Sequence, residues 1–174
     1  MSELFDFLKI LLPAGLVLYG MYVAVHTLLA KQYEQKNLDV KAAYLKETLH
    51  LKLQAYERMA LYLERISLFE LVPRLEHPEF DPVTFRSVLV HEVRNELAHN
   101  YAQQIYLSES LWTEIQTATE QQIQLINTAF GEVKEETSVA DFKRMLFGIL
   151  DGLDQEPAQR CLSALRADVQ GLLG

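Results

Sequence analysis

The sequence predicts an all-α protein: an N-terminal transmembrane helix that continues into a stalk and then a cytoplasmic antiparallel helical bundle. Three observations predict it. Residues 10–30, ILLPAGLVLYGMYVAVHTLLA, contain no Asp, Glu, Lys or Arg, and that length meets the ~20 residues a helix needs to cross a bilayer. Beyond this block, apolar residues recur at three- and four-residue steps, the helical period. Helix breakers are sparse there: no glycine lies between Gly20 and Gly131, and the prolines stand only at 73, 78, 82 and 157. On this reading residues 1–36 are the membrane anchor and juxtamembrane segment, and 37–174 the cytoplasmic helical bundle. The latter divides into a main bundle, 37–134, and a C-terminal helical hairpin, 135–174.

The N-terminal block reads as an anchor and not as a cleaved signal. Glu3 and Asp6 outnumber Lys9 ahead of it, so there is no basic leading region, and no small-x-small cleavage site follows. His26 lies near the C-terminal end, where it can reach the interface, and Pro13 and Gly15 lie near the other end, where a membrane helix tolerates them. Tyr19, Tyr22 and Tyr33 suit an interfacial belt. Lys31, Lys36, Lys41, Lys46 and Lys52 follow the block, against Lys9 alone before it. The positive-inside rule then predicts a single-pass protein of the cytoplasmic (inner) membrane with its C-terminal domain in the cytoplasm.

Residues 40–67 carry Leu45, Leu49, Tyr56, Met59, Leu63 and Ile66 as a stripe of about three heptads, interrupted by Lys52. Asn37 and Asp39 mark a candidate break between the anchor and this helix. Ser67 is placed to cap a short helix ending near Pro73, and 73–82 reads as a loop. Asp81 then reads as N-cap and Pro82 as first residue of a helix reaching about Leu107. Ser108 caps a long helix to about Val133, whose apolar face is Leu111, Ile115, Ala118, Ile126, Ala129 and Val133, with Gln122 interrupting it. Ser138 opens a helix through Leu150, and Glu156-Pro157 opens the last one, to about Leu172.

The balance of 24 acidic against 16 basic residues gives a net charge of −8, which argues against general binding to nucleic-acid phosphates. The lone Cys161 excludes a disulfide framework and a multi-cysteine zinc site. It reads as a small core residue. No glycine-rich phosphate loop and no nucleophile elbow is present. The expected partners are the lipid bilayer and other proteins or further copies of the chain, and no cofactor is expected.

Three constellations gather on the helix after Pro82. Arg94, Asn95, His99 and Tyr101, in RNELAHNY, resemble the Arg-x4-His-x-Tyr signature of HEPN-type helical-bundle ribonucleases. That resemblance implies metal-independent RNA cleavage, with Arg94 stabilising phosphate charge and His99 transferring protons. On a continuous helix, residues five apart point about 140° away from each other, so the pair converges only across a helix break or a second subunit. Glu96 and His99, and likewise Glu47 and His50, make Glu-x-x-His pairs of the kind used in ferritin-like di-metal bundles, with Glu92 one turn away. The plainer reading is a hydrogen-bonded seam between helices, in which Arg58 or Arg65 pairs with Glu92 or Glu96.

Two longer stretches, LQAYERMALYLERIS at 53–67 and HNYAQQIYLSESLW at 99–112, resemble an uncharacterised family of small single-pass membrane-anchored helical proteins of Bacteroidota. The resemblance runs from the anchor to about Phe130. It implies membrane anchoring and a helical architecture, and it singles out Glu57, Arg58, Glu64, Arg65, His99, Asn100, Gln103, Gln104 and Tyr106 as a polar network between two helices. The function expected is that of a protein-interaction or assembly module, an oligomer or an accessory subunit of a membrane complex; the alternative is a membrane-tethered HEPN-like ribonuclease.

Overall fold

The computed structural model describes the backbone of residues 2–173 and the side chains of 15–172. Among the described residues there is no strand. The described residues form six α-helices and one 3-10 turn: α1 (Ser2–Ile66), α2 (Leu68–Leu75), α3 (Pro82–Asn100), the 3-10 turn Tyr101–Tyr106, α4 (Glu109–Gly131), α5 (Val139–Asp151) and α6 (Pro157–Leu173). Two compact units are resolved, Met1–Leu49 and His50–Gly174.

The first unit is helical throughout its described backbone. The expected break at Asn37 and Asp39 is absent, because neither residue removes a helix hydrogen bond and no proline or glycine lies nearby. Its apolar side chains are open on all sides, including Leu16, Leu18, Tyr19, Met21, Tyr22, Val25 and Leu29. Among the described residues no helix is long and apolar enough to cross a membrane. The expected span 10–30 is therefore not recovered as such. Side chains 10–14 lie outside the described residues, and 15–30 alone fall short of the ~20 residues a crossing needs.

The second unit holds the core. Here the heptad stripe splits: Tyr56, Met59, Leu63 and Ile66 are buried, while Leu45 and Leu49, in the first unit, are exposed. Helix α4 is central, packed against α3, α5 and α6. Its direction opposes that of α3, since Arg86 near the start of α3 reaches Asn127 late in α4, while Tyr101 beyond the end of α3 packs edge-on against Trp112 early in α4. It opposes α6 as well: Gln122 meets Glu156 just before α6, whereas Glu114 shares a groove with Asp168. The C-terminal helices thus fold back onto the rest of the bundle.

Local chemistry accounts for most boundaries. The Asp81 carboxylate accepts from the Thr84 amide at 2.9 Å with Pro82 following, which starts α3. The Ser108 hydroxyl accepts from the Leu111 amide at 3.3 Å, and Ser138 forms a reciprocal capping box with Asp141. The hydrogen bonds these two carboxylates accept hold both Asp81 and Asp141 below the usual carboxylate pKa. Two boundaries differ from expectation. Helix α2 continues past Pro73 to Leu75, because the proline forfeits only the bond its own nitrogen would make to the Phe69 carbonyl one turn back. Helix α3 ends at Asn100 and tightens into the 3-10 turn, which buries no residue. A continuous α-helix to Leu107 would need a covered face there.

Candidate functional site

The polar groups that organise the bundle lie inside it. Glu156 is 6% exposed and has no cation beside it among the described residues. Its carboxylate accepts three hydrogen bonds instead. One comes from the Ser67 hydroxyl at 2.6 Å, one from the Leu68 amide at 2.5 Å and one from the Gln122 amide nitrogen at 2.7 Å. The carboxylate thus sits at the N-terminus of α2, where unpaired amides and the helix dipole favour negative charge. It joins the residue preceding α6 to the α1–α2 corner and to the middle of α4. Gln122 is wholly buried, and its Oε1 has no hydrogen-bond partner among the described residues.

One turn back along α4, Thr119 receives the Tyr62 hydroxyl at 2.6 Å and donates to the Ile115 carbonyl at 2.7 Å. Burial raises the Tyr62 pKa well beyond its ordinary value. Tyr56 donates to Asp168 of α6 at 2.5 Å, and its pKa is pushed up to about 12, by burial first and by Asp168 second. Burial also raises the Cys161 thiol to about 11, so it stays protonated and weakly nucleophilic at neutral pH.

These shifts set an alkaline limit. An unfolded tyrosine ionises near pH ~10, whereas the folded phenols hold their protons to higher pH. The resulting stabilisation is fully present below about pH 10 and is lost as pH rises through the folded values. The urea midpoint should fall between pH 9 and 11.5, and Tyr56→Phe should flatten that fall. An equal fall in the variant would remove Tyr56 from the account.

The residues singled out from sequence are placed as follows. Arg65 pairs with Glu96, its Nε and Nη2 both 2.6 Å from Oε1, and joins α1 to α3. Glu96 lies on the buried line Phe85, Leu89, Val93, Glu96. Glu92 pairs with Arg74 of α2 at 3.0 Å, and Arg74 also donates to the Arg65 carbonyl at 3.1 Å. Asn100 turns back to the Glu96 carbonyl at 2.9 Å within its own helix. Glu57, Arg58, Glu64 and His99 are exposed, Gln103, Gln104 and Tyr106 half-buried, and no side-chain hydrogen bond joins any of them to another described residue. The hydrogen-bonded set is therefore narrower than that list: Arg65 meets Glu96, one of the pairings considered, while Arg74 and not Arg58 meets Glu92.

Arg65→Ala should cost about 1 kcal/mol, because Glu96 keeps little water to replace the guanidinium, while the half-exposed Arg65 limits what the pair is worth. Arg58→Ala should fall within about 0.5 kcal/mol of wild type. Urea titrations of both variants check this; a larger loss at Arg58 would reverse the assignment.

Arg94 and His99 are both exposed and lie on one unbroken helix, so the α3 backbone points them away from each other. Asn95 is half-buried and Tyr101 packs against Trp112. One chain does not assemble the HEPN-like set. Glu47 and His50 are exposed, and among the described residues no group of three or more His, Cys, Asp or Glu side chains is placed to hold a metal ion. Sequence reasoning missed Ser67, Arg74 and Glu156 as polar partners. The one visible signal was Gln122, a polar residue on an otherwise apolar face.

No curated protein and no solved structure matches the chain. A family of unknown function, DUF7935, matches residues 2–172, nearly the whole length. The chain belongs to that family.

Proposed function

We propose that this is a single-pass membrane protein whose helical bundle serves as a protein-interaction or assembly module, as an oligomer or as an accessory subunit of a membrane complex. The observation that carries the anchor is the helix surface from Leu16 to Leu29, where Leu16, Val17, Leu18, Tyr19, Met21 and Tyr22 are each 65–68% exposed. A helix that is apolar all round must be covered by lipid or by protein. Thr27 fits that setting, since its hydroxyl is satisfied within the helix by the Val23 carbonyl at 2.6 Å. The lysines that follow, Lys31 to Lys52, support a cytoplasmic side for the bundle through the positive-inside rule.

The assembly role rests on the buried polar groups being spent on holding helices together. Ser67 and Gln122 both donate to Glu156, and Tyr62 bonds Thr119. The ribonuclease reading gains no support from the placement of Arg94 and His99 in one chain.

The test is expression of the full chain in a bacterial host, followed by an alkaline carbonate wash of the membranes and mild-detergent purification with mass photometry. The anchor reading expects retention in the washed membrane, and release when residues 10–30 are replaced by a polar helix. The assembly reading expects a defined mass above that of one chain in its micelle. Release of the wild type by carbonate, or a monodisperse monomer from native membranes, would overturn the respective half.

A further inference from the structure

Two adjoining cavities open on the face made by α3 and α4. Arg86, Val90, His91, Arg94 and Asn127 line the first, and Arg94 and Asn127 recur in the second with Gln124 and Ile123. Arg86 is held in place there. Its Nε donates to Asn127 Oδ1 at 2.8 Å, and its guanidinium lies 5.1 Å from the centre of the Phe130 ring. That leaves its two terminal nitrogens without a hydrogen-bond partner among the described residues. Arg94 is exposed and has no ion pair among the described residues. In a chain of net charge −8, two guanidinium groups with open donors on one face stand out. Glu120, at the far edge of the second cavity, is the acid that lines it.

The spacing selects an occupant. Arg86 and Arg94 are eight residues apart on α3, about 12 Å along the helix axis. An extended peptide advances about 3.3 Å per residue, so carboxylates four residues apart span about 13 Å. Across the two adjoining cavities, half-buried Val90 and buried Ile123 give apolar lining, while Asn127 and Gln124 offer amides to a peptide backbone. A guanidinium binds a carboxylate through paired donors, so each arginine can hold one acidic side chain. A nucleic-acid strand suits this face less well. It offers no open aromatic ring for a base to stack on, the Phe130 ring being covered by Arg86.

We propose that the α3–α4 face docks an extended acidic segment of a partner protein, with one carboxylate on Arg86 and a second, four residues along, on Arg94. This rests on the assembly reading above and names the surface and the partner chemistry.

The test uses the full chain in detergent micelles and three fluorescent ten-unit probes: a peptide with two glutamates four residues apart, the same composition with the glutamates adjacent, and decauridylate RNA. The spaced peptide should bind most tightly. Arg94→Gln should weaken it about tenfold, as expected for loss of one charged contact, and should leave the circular dichroism unchanged because Arg94 makes no hydrogen bond or ion pair among the described residues. No binding of the spaced peptide, equal binding of the two peptides, equal binding by Arg94→Gln, or tighter binding of RNA would each overturn the proposal. Mild-detergent purification of Arg94→Gln from native membranes separates the two claims. A complex that persists unchanged sinks this docking surface and leaves the assembly reading standing, whereas loss of a partner that the wild type retains supports the surface.

Discussion

Glu156→Ala should destabilise the helical domain by about 3–5 kcal/mol, a large share of the ~5–15 kcal/mol that typically holds a domain folded. The truncation strands three donors at once: the Ser67 hydroxyl, the Leu68 amide and the Gln122 amide nitrogen. Each stranded buried donor costs about 1–3 kcal/mol, and the hole left by the side chain gives only part of that back by admitting water. Gln122 suffers most, because its Oε1 already lacks a hydrogen-bond partner among the described residues.

A second variant sets the scale. In Glu156→Gln the retained oxygen can still serve the Leu68 amide and Gln122, while the new amide group faces Ser67, whose hydroxyl can turn and accept. Its loss should be smaller, about 1–3 kcal/mol. Urea unfolding should rank wild type above Gln and Gln above Ala, and hydrogen exchange should show the Leu68 amide deprotected in the Ala variant. An Ala variant as stable as wild type would mean that the carboxylate does not organise the α1–α2 corner.

This cluster also marks where sequence stops being legible. Helix starts were readable because a cap is a local event: Asp81 with Thr84, Ser108 with Leu111 and Ser138 with Asp141 lie within one turn. Ser67 has the same local look, a serine ahead of an apolar helix. Yet its hydroxyl makes no cap in its own turn and goes to Glu156, 89 residues on. Nothing near Ser67 announces that partner. Likewise Arg65 is already a candidate for Glu96 from sequence, but the partner of Glu92 depends on how α2 returns across α3, and Arg74 enters only through that packing. The heptad stripe shows the same limit from the other side. Leu45 and Leu49 share the periodicity of Tyr56, Met59 and Leu63, but only the latter three are buried. Periodicity states which face is apolar; it does not state what covers it.

Phe142→Ala should cost about 3–5 kcal/mol as well, through an apolar cavity and not through stranded polar groups. Phe142 is fully buried on α5, and its ring meets two others edge-on. Phe85 of α3 lies 6.2 Å away at 89°, and Phe130 of α4 lies 6.1 Å away at 88°. Both arrangements set the positive edge of one ring against the negative face of another, which adds to the area buried. The one side chain therefore fastens α5 to both helices of the central pair, and those two helices are also joined by the Arg86–Asn127 contact. Phe142→Leu keeps most of the volume but loses both ring contacts, so about 1–2 kcal/mol is expected. The two losses should stay distinct in a double variant with Glu156→Gln, because the sites share no hydrogen bond or ring partner, and additivity within about 0.5 kcal/mol is the expected outcome. Strong coupling between them would mean that α5 and α6 respond as one unit, and that the cavity at Phe142 is felt at the α2 corner.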